Sequence, residues 1–271
     1  MSYMRTATVS PSGLADWLIA RGRHFVTTDE VAKLVGVEPG VVPVSLQRAR
    51  DARKIVSVTK GGWVPVPPEY REAGAPPALH FIDPLMRHLG HPYYVGFLSG
   101  ARLYGASHQV PMVLQVATPA LLRDRRIGKG RLEFIRRSAA AERRVEVRNV
   151  PTGRVNVAAP EVVVLDLVDA PEVGGGLGNV ATVMGEQIRE GLLDGQAIAT
   201  AAVTYSTAVI QRVGHLLERV AGEVGESVDL GPIEPLVSAA GYTPLAPRSE
   251  LVGLRDRRWH VVVNTTVEHE L

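Results

Sequence analysis

The chain has no cysteine, which excludes disulfides, thiolate zinc sites, cysteine nucleophiles and CxxC redox chemistry. It also has no run approaching the ~20 uninterrupted apolar residues of a membrane span, and no apolar signal-like segment follows Met1. A cytoplasmic protein with no membrane partner is expected. Phosphate-cradling fingerprints are missing too. The run GGGLGN, Gly174 to Asn179, has neither the Lys-Ser/Thr of a P-loop nor the third glycine of a dinucleotide motif, and it reads as a flexible loop opening a helix. No cofactor is expected.

What is present is an ordinary globular composition, 45% apolar and 21% charged over 271 residues, enough for two modest cores. The net charge of +2 hides an uneven distribution. Between Val41 and Val66, Arg48, Arg50, Arg53, Lys54 and Lys60 face one acid, Asp51. Between Leu121 and Arg148 ten basic residues face four acids. Two basic zones so far apart point to two anionic contacts or one extended one.

The first zone lies in a helical pattern. Leu14, Trp17 and Leu18 share helical spacing, with Ser10 or Ser12 as candidate cap. Thr27 stands three residues before Glu30, a capping-box spacing, and Gly36 stops the helix that follows. A third helix over 41–53 turns Val42, Leu46, Ala49 and Arg53 to one side and Val44, Gln47, Arg48 and Asp51 to the other. IVSVTKGGWVPV then reads as a hairpin turning at Lys60-Gly61-Gly62. This outline is that of a winged helix-turn-helix over residues 1–67. Ser45, Gln47 and Arg48 would reach base edges in the major groove, while Arg50, Arg53, Lys54 and Lys60 would neutralise phosphates.

Five prolines between Val64 and Ala78 forbid a helix or central strand, so 68–78 reads as an extended linker. Residues 79–271 then read as a larger α+β domain, a mainly antiparallel sheet flanked by helices. Its helices are expected at LHFIDPLMRHLG, YYVGFLSGARLYG, PEVVVLDLVDAP, LGNVATVMGEQIREGLLD, IATAAVTYSTAVIQRVGHLLERVA and PIEPLVSAAG, and its strands at MVLQVATP, RLEFIRRS, VEVRNV, GRVNVAAP and WHVVVNTT.

Catalytic and metal chemistry finds little purchase. Gly96-Phe97-Leu98-Ser99-Gly100 lacks the G-x-S-x-G spacing of a nucleophile elbow and sits in an apparently helical run, where Gly96 and Gly100 would admit a neighbouring backbone. Arg102 and His108 near its end read as surface contacts or satisfied polar groups. His80, His88 and His91 have no carboxylate third ligand, and Gly90 and Pro92 break the helix that would align them. Glu161 is explained as a helix-start acid. Asp166 and Asp169 share a helix face with no visible basic partner. No catalytic residue, no metal and no enzymatic activity are expected.

The second basic zone crowds Arg125, Arg126, Lys129 and Arg131 into a glycine-containing loop, with Arg136, Arg137, Arg143 and Arg144 after it. It is either a solvated sheet edge protected by charge or a second patch for nucleic acid or another partner, extending a DNA contact or binding RNA.

Taken in order, YYVGFLSGARLYGASHQVP, PEVVVLDLVDAP, QRVGHLLE and WHVVVNTTVEHEL resemble the AbiEi-type antitoxins, a likeness running from about Leu14 to Leu271. The resemblance implies a winged-helix autorepressor that binds its own operon's promoter, joined to a C-terminal domain that counteracts a nucleotidyltransferase-like toxin. Such pairs are type IV toxin–antitoxin systems, in which direct antitoxin–toxin binding is not the assumed mechanism. It carries over no catalytic residues. The alternative is a ligand-sensing winged-helix regulator without a toxin partner.

Overall fold

The computed structural model describes residues 9–105 and 113–268. His108, with the Ala106–Pro111 end of the glycine-rich motif and the last three residues of the chain, lies outside the described residues. The elements begin α1 (Leu14–Ile19), β1 (Val26–Thr27), α2 (Thr28–Val35), α3 (Val42–Ser45), α4 (Gln47–Asp51), β2 (Ile55–Thr59), β3 (Gly62–Pro65) and α5 (Ile82–Leu89). There follow β4 (Tyr94–Val95), α6 (Phe97–Arg102), β5 (Val113–Thr118), β6 (Arg125–Ile127), β7 (Gly130–Arg136), β8 (Val145–Val150) and β9 (Gly153–Ala158). Last come α7 (Pro160–Asp169), α8 (Leu177–Arg189), α9 (Gly195–Ala202), α10 (Thr207–Val224), β10 (Thr243–Pro244), β11 (Leu254–Asp256) and β12 (Val261–Val263). The chain is α+β, and contacts divide it into two compact units that are each discontinuous in sequence. One comprises Met1–Tyr93, Gln109–Ser138 and Val147–Asn156; the other comprises Tyr94–His108, Ala139–Glu146 and Val157–Leu271.

In the first unit, Thr27 and Glu30 close the expected capping box, with Glu30 N–H donating to Thr27 Oγ1 at 3.2 Å and Thr27 N–H to Glu30 Oε2 at 2.8 Å. Gly36, left-handed, ends α2. The strands pair antiparallel in the order β1-β3-β2, and Leu14, Leu18, Val31, Val42, Leu46, Ala49 and Trp63 bury a common core. The single helix expected over 41–53 is instead a 3₁₀ turn, Pro39–Val41, followed by α3 and α4, with Leu46 between them at φ −89°, ψ 0°. The bend keeps Val42, Leu46 and Ala49 in the core. Arg53 leaves their face because the helix ends before it. Lys54 N–H reaches Ala49 O and Arg53 N–H reaches Arg50 O, both at 2.8 Å, a Schellman closure with Arg53 at φ 52°.

Residues 68–78 are not an extended connector. They form a 3₁₀ turn at Pro68–Tyr70 and bury Ala75 and Pro76 inside the first unit, because backbone and side-chain bonds tie them down. Lys129 N–H donates to Ala73 O at 2.8 Å, and Arg71 reaches Asp16 at 3.3 Å.

The expectation of a mainly antiparallel sheet is also corrected. β5 and β7 run parallel from Val113↔Arg131 to Thr118↔Arg136, as do β4 with β9 and β10 with β12; β6/β7 and β11/β12 are antiparallel. The three-residue β6, too short to show alternation, turns the chain so that β7 returns in the direction of β5.

In the second unit α7 is buried on almost every side, and α6, α8, α9 and α10 pack against it. A helix apolar all round belongs at a core centre. YYVGFLSGARLYG is not one helix: β4 leads through extended Gly96 into α6. Gly100, within α6, does provide a close approach, since a Cβ there would stand 3.1 Å from Val163 Cγ2 and 3.2 Å from Val95 O. The long helix expected over 198–221 splits into α9 and α10, with Ser206 extended at the start of α10. The expected helix at PIEPLVSAAG is only a 3₁₀ turn, Glu234–Leu236. GGGLGN opens α8 as foreseen, closed by Asn179 Nδ2 donating to Gly174 O at 2.7 Å.

Candidate nucleic-acid interface

The first unit gathers the N-terminal basic residues unequally. Gln47, Arg48 and Arg50 are exposed on α4. Gln47 Nε2 donates to Asp51 at 2.9 Å and Arg50 donates to Gln47 Oε1 at 3.4 Å, so a short polar chain fixes Gln47 along the helix. Arg48 has no protein partner among the described residues and projects free. Val44, one turn earlier, is 75% exposed, an apolar side chain presented to solvent beside these polar ones. Ser45 is half-buried and spends its hydroxyl on Val42 O at 2.9 Å.

Arg53 and Lys54 turn back to the chain. Arg53 donates to Glu72 O at 3.5 Å, and Lys54 pairs with Asp16 at 3.1 Å. Lys60 is exposed at the β2–β3 turn. That turn is held from the side, because His88 Nε2 lies 3.3 Å from Lys60 O and the His88 ring lies 5.5 Å from Phe25. His80 stacks edge-on with Tyr70, and no group of three or more His, Asp or Glu among the described residues is placed to hold a metal ion.

The second basic zone is broken apart. Arg125, Arg126, Lys129 and Arg131 line one open hollow of about 550 Å³ with a single acid, Asp124. Arg125 is half-buried, and burial lowers its pKa from the usual arginine value; its guanidinium donates to Val58 O of β2 at 2.7 Å. The hollow therefore adjoins the hairpin that carries Lys60. Arg131 is held by Asp124 at 2.9 Å and Glu133 at 3.4 Å. Arg136 falls at the far end of β7, ~16 Å away at ~3.3 Å per residue, where it donates to Pro119 O at 3.4 Å. Arg137, beyond it, does not line the hollow either.

Arg143 is not surface charge, and Arg144, its side chain 60% exposed, still reaches a buried carboxylate. In the second unit Arg143 pairs with Asp166, their side chains only 5% and 0% exposed. Tyr94 OH donates to Asp166 Oδ2 at 2.6 Å, Tyr205 OH donates to Oδ1 at 3.2 Å, and the Arg143 guanidinium lies 3.9 Å over the Tyr205 ring. Burial, reinforced by the Asp166 charge, pushes both phenols above the ordinary tyrosine range. Burial alone would lower the Arg143 pKa; the adjacent carboxylate outweighs it and raises it. Glu161, buried, is matched by Arg144 at 2.8 Å. Both carboxylates thus have the basic partners that the sequence concealed. A carboxylate in a helix buried on all sides requires such a partner, and the arginines just upstream were the available signal.

The strand-to-helix turn at Gly96-Phe97 has the chain path of a nucleophile elbow, contrary to the helical reading. Its positive-φ position, 53°, holds Phe97, whose buried ring carries no nucleophile. Ser99 is buried two residues on.

No curated protein sequence matches the chain. Residues 94–219 match the family model described as the AbiEi antitoxin C-terminal domain. The fold is similar to that of a crystal structure of the Rv2827c protein from Mycobacterium tuberculosis, at 15% identity and a TM-score of 0.64, covering 95% of this chain and 92% of that one. Among the described residues no helix is long and apolar enough to cross a membrane.

Proposed function

Residues 94–219 match the family model of the AbiEi antitoxin C-terminal domain, and from that premise we propose that the chain is a cytoplasmic, non-enzymatic antitoxin that also represses its own promoter. Residues 1–67 serve as a winged helix-turn-helix, and the AbiEi-type domain counteracts a nucleotidyltransferase-like toxin in a type IV pair. One observation carries the DNA-reading half: the order α1-β1-α2-α3-α4-β2-β3, with the sheet order β1-β3-β2, leaves Gln47, Arg48 and Arg50 exposed on α4 and Lys60 exposed on the hairpin. That is the disposition in which a helix enters the major groove and a wing follows the backbone. Val44 suits a thymine methyl. Arg53 and Lys54 contribute less than the free Arg48, since each has a partner in its own chain. The hollow of Arg125, Arg126, Lys129 and Arg131 extends the contact to flanking phosphates.

Promoter binding measured by fluorescence anisotropy against salt is expected to weaken steeply, and changing Arg48, Arg50 and Lys60 to alanine makes the log–log slope shallower by about one per lost phosphate contact. The triple variant retains protection when the neighbouring toxin gene is co-expressed. Unchanged DNA binding in that variant overturns the winged-helix reading. A neighbouring nucleotidyltransferase-like gene that is harmless alone overturns the antitoxin reading.

A further inference from the structure

A second cavity, of about 210 Å³, lies in the first unit between the 70–81 segment and the β6–β7 ribbon. Tyr70, Phe81, Ile127 and Leu132 give it apolar walls, completed by Pro76 and Pro77. Its lining includes two cations, Lys129 and Arg131, and no carboxylate. An apolar chamber of this size with cations and no acid selects a small, flat, apolar anion over a neutral or cationic molecule. Arg131 is already held by Asp124 and Glu133, whereas the side chain of Lys129 has, among the described residues, only a 3.5 Å contact to the 93% exposed Glu72. Lys129 is the cation available to a ligand.

The cavity is built rather than incidental. Gly128 takes φ 59°, and a Cβ there would lie 2.2 Å from Ala73 O, so the β6–β7 turn rests directly on the backbone of the opposite wall. The Lys129 N–H bond to Ala73 O fastens the two walls together. The same wall is tied to the DNA-reading elements: Glu72 O accepts from Arg53 at the end of α4, and Arg71 shares Asp16 of α1 with Lys54. Lys129 and Arg131 line the basic hollow as well as the cavity. An anion bound on the apolar side therefore neutralises charge that the hollow presents to phosphate.

We propose that this cavity is an effector site for a small aromatic carboxylate, and that its occupation weakens DNA binding. The site stands on its own geometry; its effect on DNA rests on the promoter-binding reading. Coupling between two such sites is reciprocal, so DNA must weaken the carboxylate by the same factor as the carboxylate weakens DNA.

The probes are 1-naphthoate, 2-naphthoate and indole-3-carboxylate, titrated calorimetrically into the full chain without DNA, with 1-naphthamide as the neutral control. At least one carboxylate is expected to bind, the amide about tenfold more weakly or worse, and Lys129→Gln to lose about tenfold in carboxylate affinity. Ala78→Phe, which fills the cavity, abolishes binding; should that variant fail to fold, Lys129→Gln, at an exposed position, carries the test. Absence of binding by all three carboxylates at millimolar concentration, equal affinity for the amide, or an unaffected Lys129→Gln overturns the site. With the best carboxylate saturating, promoter affinity is expected to fall about tenfold. Carboxylate binding with unchanged promoter affinity overturns the regulatory half alone. Carboxylate binding by a protein that holds no promoter DNA overturns the winged-helix reading while the site stands.

Discussion

Arginine does opposite things in the two compact units. In the first, Arg48 and Arg126 stand exposed with no protein partner among the described residues. In the second, Arg143 is sealed against Asp166 between two tyrosines, while Arg144, itself exposed, reaches the buried Glu161. A charge left in water contributes almost nothing to folding and remains available to a partner. A charge taken out of water is committed to its counter-ion, and removing either member strands the other. The run from Leu121 to Arg148, continuous in sequence, contains both kinds.

The sharpest way to break this contrast is Arg143→Ala, expected to cost ~3–5 kcal/mol because Asp166 is left buried without its counter-charge. Urea denaturation measures it. Arg48→Ala, by contrast, is expected to shift stability by no more than ~0.5 kcal/mol. Replacing both buried partners with apolar residues, Arg143→Met with Asp166→Leu, is expected to recover only part of the loss, because the hydroxyls of Tyr94 and Tyr205 lose their acceptor. A loss below ~1 kcal/mol for Arg143→Ala would mean that the pair is far less desolvated than its burial indicates.

Arg53 offers a smaller, opposite effect. It occupies the left-handed position of a Schellman closure that glycine would fill without strain, so Arg53→Gly is expected to raise stability by up to ~1 kcal/mol. A decrease in the denaturation midpoint would show that the Arg53 contact to Glu72 O outweighs the backbone strain.

The smallest effect separates the units by pH. His24 and His80, both in the first unit, lie below the ordinary 6.5, mainly because burial disfavours the charged ring; at His80 the charge of His24 adds to this and Glu69 opposes it. The unfolded chain therefore binds protons first as pH falls below 6.5, and the first unit loses stability from there until the folded rings titrate. Asp256, in the second unit, has another window. Burial would raise its pKa, but the His215 hydrogen bond and the backbone N–H groups of Trp259 and Arg258 bring it below the ordinary 3.8. Its stabilisation persists above about 3.8 and is lost as pH falls through the folded value. Hydrogen-exchange protection, corrected for the intrinsic rate, should thus fall at about pH 5 in the first unit and not at β11. His24→Gln with His80→Gln should flatten the difference.

What was legible in the sequence was local. The Thr27–Glu30 box, the Gly36 stop and the Lys60-Gly61 turn each depend on residues within a few positions, and each formed where expected. What was hidden depends on partners far along the chain. Asp166 meets Arg143 from 23 positions away, and Tyr205 reaches the same carboxylate because the chain breaks between α9 and α10. The prolines of 68–78 correctly excluded a helix or strand, yet did not disclose the 3₁₀ turns or the bond from Lys129 N–H to Ala73 O. For the candidate interface, composition located the cations. Only the fold separated free Arg48 from paired Lys54, and the hollow of Arg125 and Arg126 from Arg136 and Arg137.

The interleaving of the two units has a consequence for synthesis on the ribosome. The small core of Leu14, Val31, Leu46 and Trp63 is complete once residue 66 has emerged, so the elements from α1 to β3 can close early. The unit around them cannot finish until Val147–Asn156 has emerged. By then the opening segments of the other unit, Tyr94–His108 and Ala139–Glu146, have already left the exit tunnel and are waiting for partners not yet translated. The segment 94–105, with its apolar Tyr94, Val95 and Phe97, is thus the part of a nascent chain most in need of shelter, and ribosome pausing beyond residue 156 should expose it longest.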